Sequence, residues 1–254
     1  MGTFFDQFLI DCKPIHSLVQ FSTALSAYQY RKPFTMIARF LRPESHALDW
    51  GCGNGHLSTF LLHHQQKTTA YAFGETAPAS VIAGHPLLEF IVANTEEPVA
   101  LPFEDNAFDL VLSMGVLEHV HESGGDQRAS LKEIRRILKP GGYFLCFHFP
   151  FSGSWVEKLH GAIMPFKKKK SYVHTRKFSE QDVKTLCRDA RLSLEEWGRY
   201  NFLPRNFSRR LPGSITNNAV FLASFNAVDD LLVRAFPQLC NQSYFIAQKK
   251  DSEA

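Results

Sequence analysis

Between residues 46 and 149, short apolar runs alternate with stretches whose apolar residues return every three or four positions. The first pattern predicts strands and the second amphipathic helices. Strands are predicted at about 46–50, 69–73, 88–92, 108–113 and 143–149. One helix is predicted over about 56–66, with Leu57, Phe60 and Leu61 on one face, and a short one near Pro78. Another runs from Asp126, a good N-cap, to Leu138, with Leu131, Ile134 and Leu138 as its apolar stripe. Lys139-Pro140-Gly141-Gly142 stops it. Apolar strands alternating with such helices imply a parallel sheet covered on both faces. Ligands of such a sheet sit beyond the carboxyl ends of its strands, which singles out 49–55, 74–75, 93–95, 113–119 and 148–150.

The pattern lapses at both ends of the chain. Residues 1–45 read as a helical, aromatic lead-in punctuated by Pro14, Pro33 and Pro43, and not as a separate domain. Within it, Tyr28-Gln29-Tyr30-Arg31-Lys32 is either a lid or a surface helix with half-buried tyrosines. After residue 150 come an excursion over 151–177, a helix opened by the capping-box spacing Ser179…Asp182, and a strand at about 192–200. That helix turns Val183, Leu186 and Ala190 inward. A second excursion fills 201–241 and a last strand closes at 243–247. The expected organisation is a lead-in over 1–45 and one domain over 46–254 with two insertions.

Candidate chemistry begins at Leu48-Asp49-Trp50-Gly51-Cys52-Gly53-Asn54-Gly55-His56, a strand that breaks into three alternating glycines before a helix. Glycine lets the backbone take positive φ and lets a ligand lie against the main chain. A phosphate loop would need Gly-Lys-Ser/Thr, and His56-Leu57 stand there instead. A dinucleotide fingerprint would need its third glycine at position 56. An acid two residues before the first glycine suits a cationic ligand better than a pyrophosphate.

Here the sequence resembles the class I S-adenosylmethionine-dependent methyltransferases, particularly the small-molecule branch. Four segments agree in order: Leu48 to Gly55; Glu75 after strand two; Ala93-Asn94-Thr95-Glu96 with Leu101-Pro102-Phe103, Asp105 and Phe108-Asp109; and Leu117-Glu118-His119-Val120 followed by Glu133 to Gly142. The resemblance covers roughly 47–149, with a weaker match at 174–190. It implies an α/β, Rossmann-like doubly wound sheet, mostly parallel with an antiparallel last strand, helices on both faces and helical substrate-cover insertions. The cofactor implied is S-adenosylmethionine, with S-adenosylhomocysteine as product. Its implied contacts are Asp49, Gly51, Cys52, Gly53, Gly55, Glu75, Asn94, Thr95, Ser113 and Met114. Glu75 matches the acid that binds the ribose hydroxyls, a task suited to a bidentate carboxylate. Asn94 departs from the family's usual Asp and accepts from the adenine amino group without charge assistance. The plainer readings are that Asp49 caps the turn, Glu75 is a loop acid and Asn94 forms a turn. Cys52 reads as packing, not as a nucleophile.

Methyl transfer from a sulfonium is an in-line displacement, so the protein's work is alignment and exclusion of water. A base helps when the acceptor is a hydroxyl, and the candidates are His119, His174 and His148. A metal held by Glu118, His119, His121 and Glu122 has no fixed spacing behind it, and none is expected. The excursions carry Trp155, Phe166, Phe202, Phe207, Phe221, Phe225 and Phe236 with Lys167–Lys170, Arg205, Arg209 and Arg210. They read as a cover for a bulky, lipid-like or anionic acceptor or as a peripheral contact with an anionic membrane, the alternative being a solvated lysine run over a small extra core.

Composition narrows the classes. The chain has 254 residues and a net charge of +3, which does not by itself call for nucleic acid. The five cysteines at 12, 52, 146, 187 and 240 are scattered and odd in number, so a reducing, cytoplasmic setting is expected. No signal segment and no membrane span is read from the sequence. The resulting expectation is methyl transfer to a small or lipid-like acceptor, at oxygen before carbon or nitrogen. RNA or protein as acceptor is the alternative, kept open by the four lysines, and a non-catalytic cofactor-binding module is the other.

Overall fold

The computed structural model describes residues 4–11, 18, 21–73, 82–93, 96–156, 158–159, 176–205 and 211–250. Its centre is a seven-stranded sheet. The strands are β1 (His46–Trp50), β2 (Lys67–Ala72), β3 (Leu88–Val92), β4 (Phe108–Met114), β5 (Leu138–Pro150), β6 (Ser193–Tyr200) and β7 (Gln242–Gln248). They lie in the order β3-β2-β1-β4-β5-β7-β6. The first five strands pair in parallel, whereas β7 enters between β5 and β6 antiparallel to both. The doubly wound sheet with an antiparallel last strand is therefore as the sequence implies.

Alternate residues of the central strands feed two cores, as the two-residue strand period requires. Leu48, Trp50, Val111, Phe144 and Phe245 meet α5 (Gln127–Ile137) and α6 (Glu180–Asp189), through Leu131, Ile134, Val183 and Leu186. Ala47, Leu110, Leu112, Leu145 and Ile246 face the other way, toward α1 (Phe4–Asp11), α3 (Arg31–Ile37) and α4 (His56–His63). That second core is aromatic: Phe34 stacks on Phe60 at 4.2 Å, and Phe5 and Phe8 pack edge-on against Phe34. Capping follows the sequence. Asp126 accepts from the amides of Arg128 and Ala129 ahead of α5, and Ser179 and Asp182 close a capping box ahead of α6.

Three expected boundaries move. The helix after the glycine turn ends at His63, because Gln65 takes a left-handed φ of 56° and β2 begins at Lys67. β5 starts at Leu138; Lys139 to Gly142 form an irregularity in the strand, with Phe108 opposite Leu138 and Leu110 opposite Tyr143. Pro33 lies in the first turn of α3, where a missing amide hydrogen costs no helix bond. The short helix near Pro78 and Pro14 lie outside the described residues.

Both excursions open at the carboxyl end of the sheet, where Pro150 and Tyr200 each stand opposite Gln242. The second contains α7 (Gly213–Thr216) and the 17-residue α8 (Ala219–Ala235). The two excursions touch: Trp155 Nε1 donates to the Phe202 carbonyl at 2.9 Å, and the two rings stack at 5.8 Å. α2 (Ala24–Ala27) joins them through its end, the Ala24 amide donating to Asn217.

Candidate active site

The glycine turn is pinned to the end of β2, since the amides of Gly51 and Cys52 both donate to the Tyr71 carbonyl at 2.8 and 2.9 Å. Gly51 has φ 82°, and a Cβ there would lie 2.4 Å from Val116 Cγ2, so only glycine fits without displacing the wall opposite. Gly53 has φ 50° and open space where its Cβ would be. Gly55, at φ 80°, is the N-cap of α4. Bare backbone at Gly51 and Gly53 thus faces a cleft of about 380 Å³, walled opposite by Phe73, Gly115, Val116, His119, Val120, Glu122 and Ser123. Apolar Phe73, Val116 and Val120 offer a face to an aromatic base, and the bare backbone of the turn offers close approach. These residues fit an adenosyl cofactor.

Asp49 is buried at the strand end and accepts from the Ser58 hydroxyl at 2.6 Å. It therefore ties the strand to α4 from beneath the turn. Burial pushes its pKa up to about 6, although the Ser58 bonds pull it down. Cys52 packs with Ala70 and Ala72, and burial raises its thiol far above the ordinary value, so it is no nucleophile. Ser113 is buried within β4, and Met114 packs toward the aromatic core; the cleft wall proper starts one residue later, at Gly115. Glu75, Asn94, Thr95 and His174 lie outside the described residues, as do Phe166, Lys167–Lys170, Phe207, Arg209 and Arg210.

His119 stands half-exposed on the cleft wall, its Nδ1 2.8 Å from Glu122 Oε1 and its Nε2 3.9 Å from the buried Glu118. His148 lies behind that wall: its Cβ is 3.9 Å, and Glu118 Oε1 3.7 Å, from the position of a Cβ on Gly115. A slip in the β5–β7 register puts His148 at φ 58°, and its amide donates to the Tyr200 hydroxyl at 2.7 Å. Burial, and then the neighbouring His56, push the His148 pKa down to about 3. Burial alone takes His56 to about 4. Tyr30 bridges the two imidazoles, with ring centroids 4.8 Å from His56 and 5.0 Å from His148. Both ring nitrogens of His56 and Nε2 of His148 are sealed from solvent and have no hydrogen-bond partner among the described residues. Sequence reading missed His56 and Tyr200. The signal for His56 was its place directly after the third glycine; nothing marked Tyr200, which β6 brings from 52 residues beyond His148.

Among the described residues no three His, Cys, Asp or Glu side chains converge as a metal site, and no helix is long and apolar enough to cross a membrane. The described cysteines, Cys52, Cys146, Cys187 and Cys240, are buried and free.

Comparison with known proteins agrees with this geometry. Residues 48–146 match the methyltransferase domain family. The chain is 26% identical over 222 residues to probable tRNA methyltransferase 9B of Mus musculus, covering 83% of this chain and 43% of that one. It is 40% identical over 77 residues to the ubiquinone/menaquinone biosynthesis C-methyltransferase of Bartonella tribocorum, covering 30% of this chain and 26% of the other. The chain spans about half or less of the length of the curated relatives it matches. In fold it resembles the Burkholderia thailandensis 1,6-didemethyltoxoflavin-N1-methyltransferase solved with 1,6-didemethyltoxoflavin and S-adenosylhomocysteine. The TM-score is 0.57 at 17% identity, over 97% of this chain and 87% of that one. A glycine turn of this spacing, the cleft it faces, the strand order and the domain match together identify residues 48–146 as a methyltransferase domain, on the sheet that S-adenosylmethionine-dependent methyltransferases share.

Proposed function

We propose that this protein transfers the methyl group of S-adenosylmethionine to a small or lipid-like acceptor, at oxygen in preference to carbon or nitrogen. The observation that carries the reading is the pair of buried imidazoles, His56 and His148, near the cradle, with three ring nitrogens that have no hydrogen-bond partner among the described residues. Buried polar atoms without partners are costly, and an acceptor hydroxyl or carbonyl would satisfy them. A neutral imidazole orients such a group without binding it as an ion.

In this reading the bound cofactor supplies an activated methyl on a sulfonium, and Gly51, Gly53, Asp49 and Glu75 hold it. Asn94 and Thr95 lie on its adenine side, and Cys52, Gly55, Ser113 and Met114 support the turn and wall. Tyr30 and its helix close the acceptor end, so the lead-in over residues 1–45 acts as a lid. Burial that holds His148 near 3 makes it a weak base but a sound hydrogen-bond acceptor. His119, with its tautomer fixed by Glu122, is the better placed proton acceptor, and His174 is the alternative. A cytoplasmic setting is supported by the unpaired cysteines.

RNA is the second reading, favoured by the 83% of this chain matched to the mouse protein and by the basic excursions. Incubating the protein and labelled S-adenosylmethionine separately with a lipid extract and with total tRNA decides between them. Label in the lipid or small-molecule fraction is expected; label in tRNA alone overturns the proposal in favour of RNA. Calorimetric titration with S-adenosylhomocysteine tests the cradle itself. We expect binding that Glu75→Ala weakens at least about tenfold, the loss of one charge-assisted bidentate contact; absence of heat in the unsubstituted protein would refute the cofactor site.

A further inference from the structure

α8 is held to the protein by a mixed inner face. Its buried positions are Leu222, Asn226 and Asp229: Asn226 Oδ1 and Asp229 Oδ2 each accept from the Arg205 guanidinium at 2.8 Å, and Asp229 Oδ1 accepts from the Leu203 amide at 2.7 Å. The Arg205 and Asp229 side chains are 2% and 3% exposed. Asp230 is paired with Arg31. The outward stripe is mostly apolar, with Val220 76%, Val228 50% and Leu231 65% exposed, Ala223, Ser224 and Ala227 between them, and Phe236 (45%) just past its end. Ordinary packing of a surface helix turns its apolar residues inward. Here a buried ion pair and Leu222 fix the helix to the protein while several large apolar side chains stay turned outward, as on a docking face.

From this exposed stripe we propose that α8 docks the protein on an anionic membrane, its Val220–Val228–Leu231 residues entering the boundary between headgroups and acyl chains. Charge selects this occupant. Residues 151–177 and 201–241 together hold 11 Lys and Arg against 3 Asp and Glu, or 10 against 2 once the buried Arg205–Asp229 pair is set aside, whereas the rest of the chain holds 17 against 22. Both segments leave the sheet at its carboxyl end, where the glycine turn also lies, and the second rejoins it there at Gln242. Both acids of α8 are paired with arginines, Asp229 with the buried Arg205 and the half-exposed Asp230 with Arg31, so neither faces an anionic surface as an uncompensated charge. Geometry disfavours a second copy: one helix about 25 Å long and about 10 Å across offers roughly 250 Å², well short of the ~800 Å² per partner of a stable interface. The docking is independent of methyl transfer and is tested without it.

The test is flotation with phosphatidylcholine vesicles, with and without phosphatidylglycerol, with thermal unfolding as the folding control. The protein is expected to float with the anionic vesicles and not with the neutral ones. Val220→Glu with Leu231→Glu, both at exposed positions, is expected to weaken flotation at least about tenfold, from two lost apolar insertions and two added charges. Val92→Glu, exposed on the far strand β3, is expected to leave flotation unchanged. No flotation of the unsubstituted protein, or equal flotation of the double variant, overturns the proposal. So does a dimer in sedimentation velocity that the double variant splits, which would make the stripe an interface between copies.

Discussion

The glycine turn and the polar cluster near it are made of different material. The donor side is main chain: Gly51 and Gly53 at positive φ, their turn tied to β2 by two bonds to one carbonyl, with the buried Asp49 beneath it. The cluster that the proposal assigns to the acceptor side is side chain, assembled from residues far apart in sequence: Tyr30, His56, His148, Tyr200, and beyond them Arg205 with Asn226 and Asp229. A side built from backbone needs particular residues over a short stretch. A side built from desolvated polar groups needs distant elements to arrive in register, and it responds to charge and pH.

The largest difference is expected where the acceptor side is held by charge. Asp229→Ala leaves the Arg205 guanidinium buried without its carboxylate and removes the acceptor of the Leu203 amide. Breaking a buried pair in this way costs about 3–5 kcal/mol. Urea unfolding should show that loss, with the turn at 51–55 unaffected in its affinity for S-adenosylhomocysteine. A loss under about 1 kcal/mol, the value of an exposed pair, would mean that α8 is held by something other than this pair.

The same contrast explains what the sequence disclosed. The strands, the capping of α5 and α6 and the glycine turn were legible because each is set by neighbours in sequence: period, cap residue, spacing. Burial of His56 was not, because a histidine after a glycine turn reads equally as exposed until Tyr30 and Phe21 are folded onto it. The exposed stripe of α8 was also hidden. Arg205, outside the helix in sequence, bonds Asn226 and Asp229 on its inner face, and Val228 and Leu231 lie on the opposite, exposed side. The Tyr200–His148 bond depends on a register slip that no local pattern marks.

Acid should expose the acceptor side next. His56 has a pKa lowered from 6.5 to about 4 by burial. A base depressed in the folded state stabilises fully above its unfolded value, and that stability is lost as pH falls through the folded one. Between pH 6.5 and 4, His56 alone should cost up to about 1.4 kcal/mol per pH unit, and His148, lowered to about 3, adds to it. Urea midpoints measured down this range should fall steeply in the unsubstituted protein and less steeply in His56→Gln, which keeps a polar side chain of similar reach without the charge. An unchanged slope would place the acid sensitivity elsewhere.

The donor side should answer pH in the opposite sense and more weakly. Asp49 is raised from 3.8 to about 6 by burial. An acid raised in the folded state stabilises fully below its unfolded pKa, and the contribution is lost as pH rises through the folded one, here from about 4 to about 6. Above pH 6 the carboxylate is ionised and poorly solvated, at a cost near 3 kcal/mol before any relaxation. Asp49→Asn removes that cost and keeps an oxygen for the Ser58 hydroxyl, so net stabilisation of about 1–2 kcal/mol is expected above pH 6 once the weaker neutral bond is counted. Below pH 4 the two proteins should converge. The same variant should bind S-adenosylhomocysteine less tightly if the carboxylate also faces the amino end of the ligand, which separates its two assigned tasks: stability moves up with pH while affinity moves down. Were Asp49→Asn to lower stability at neutral pH, the ionised carboxylate would be the better solvated form, and the turn would owe its shape to that charge and not to its glycines alone.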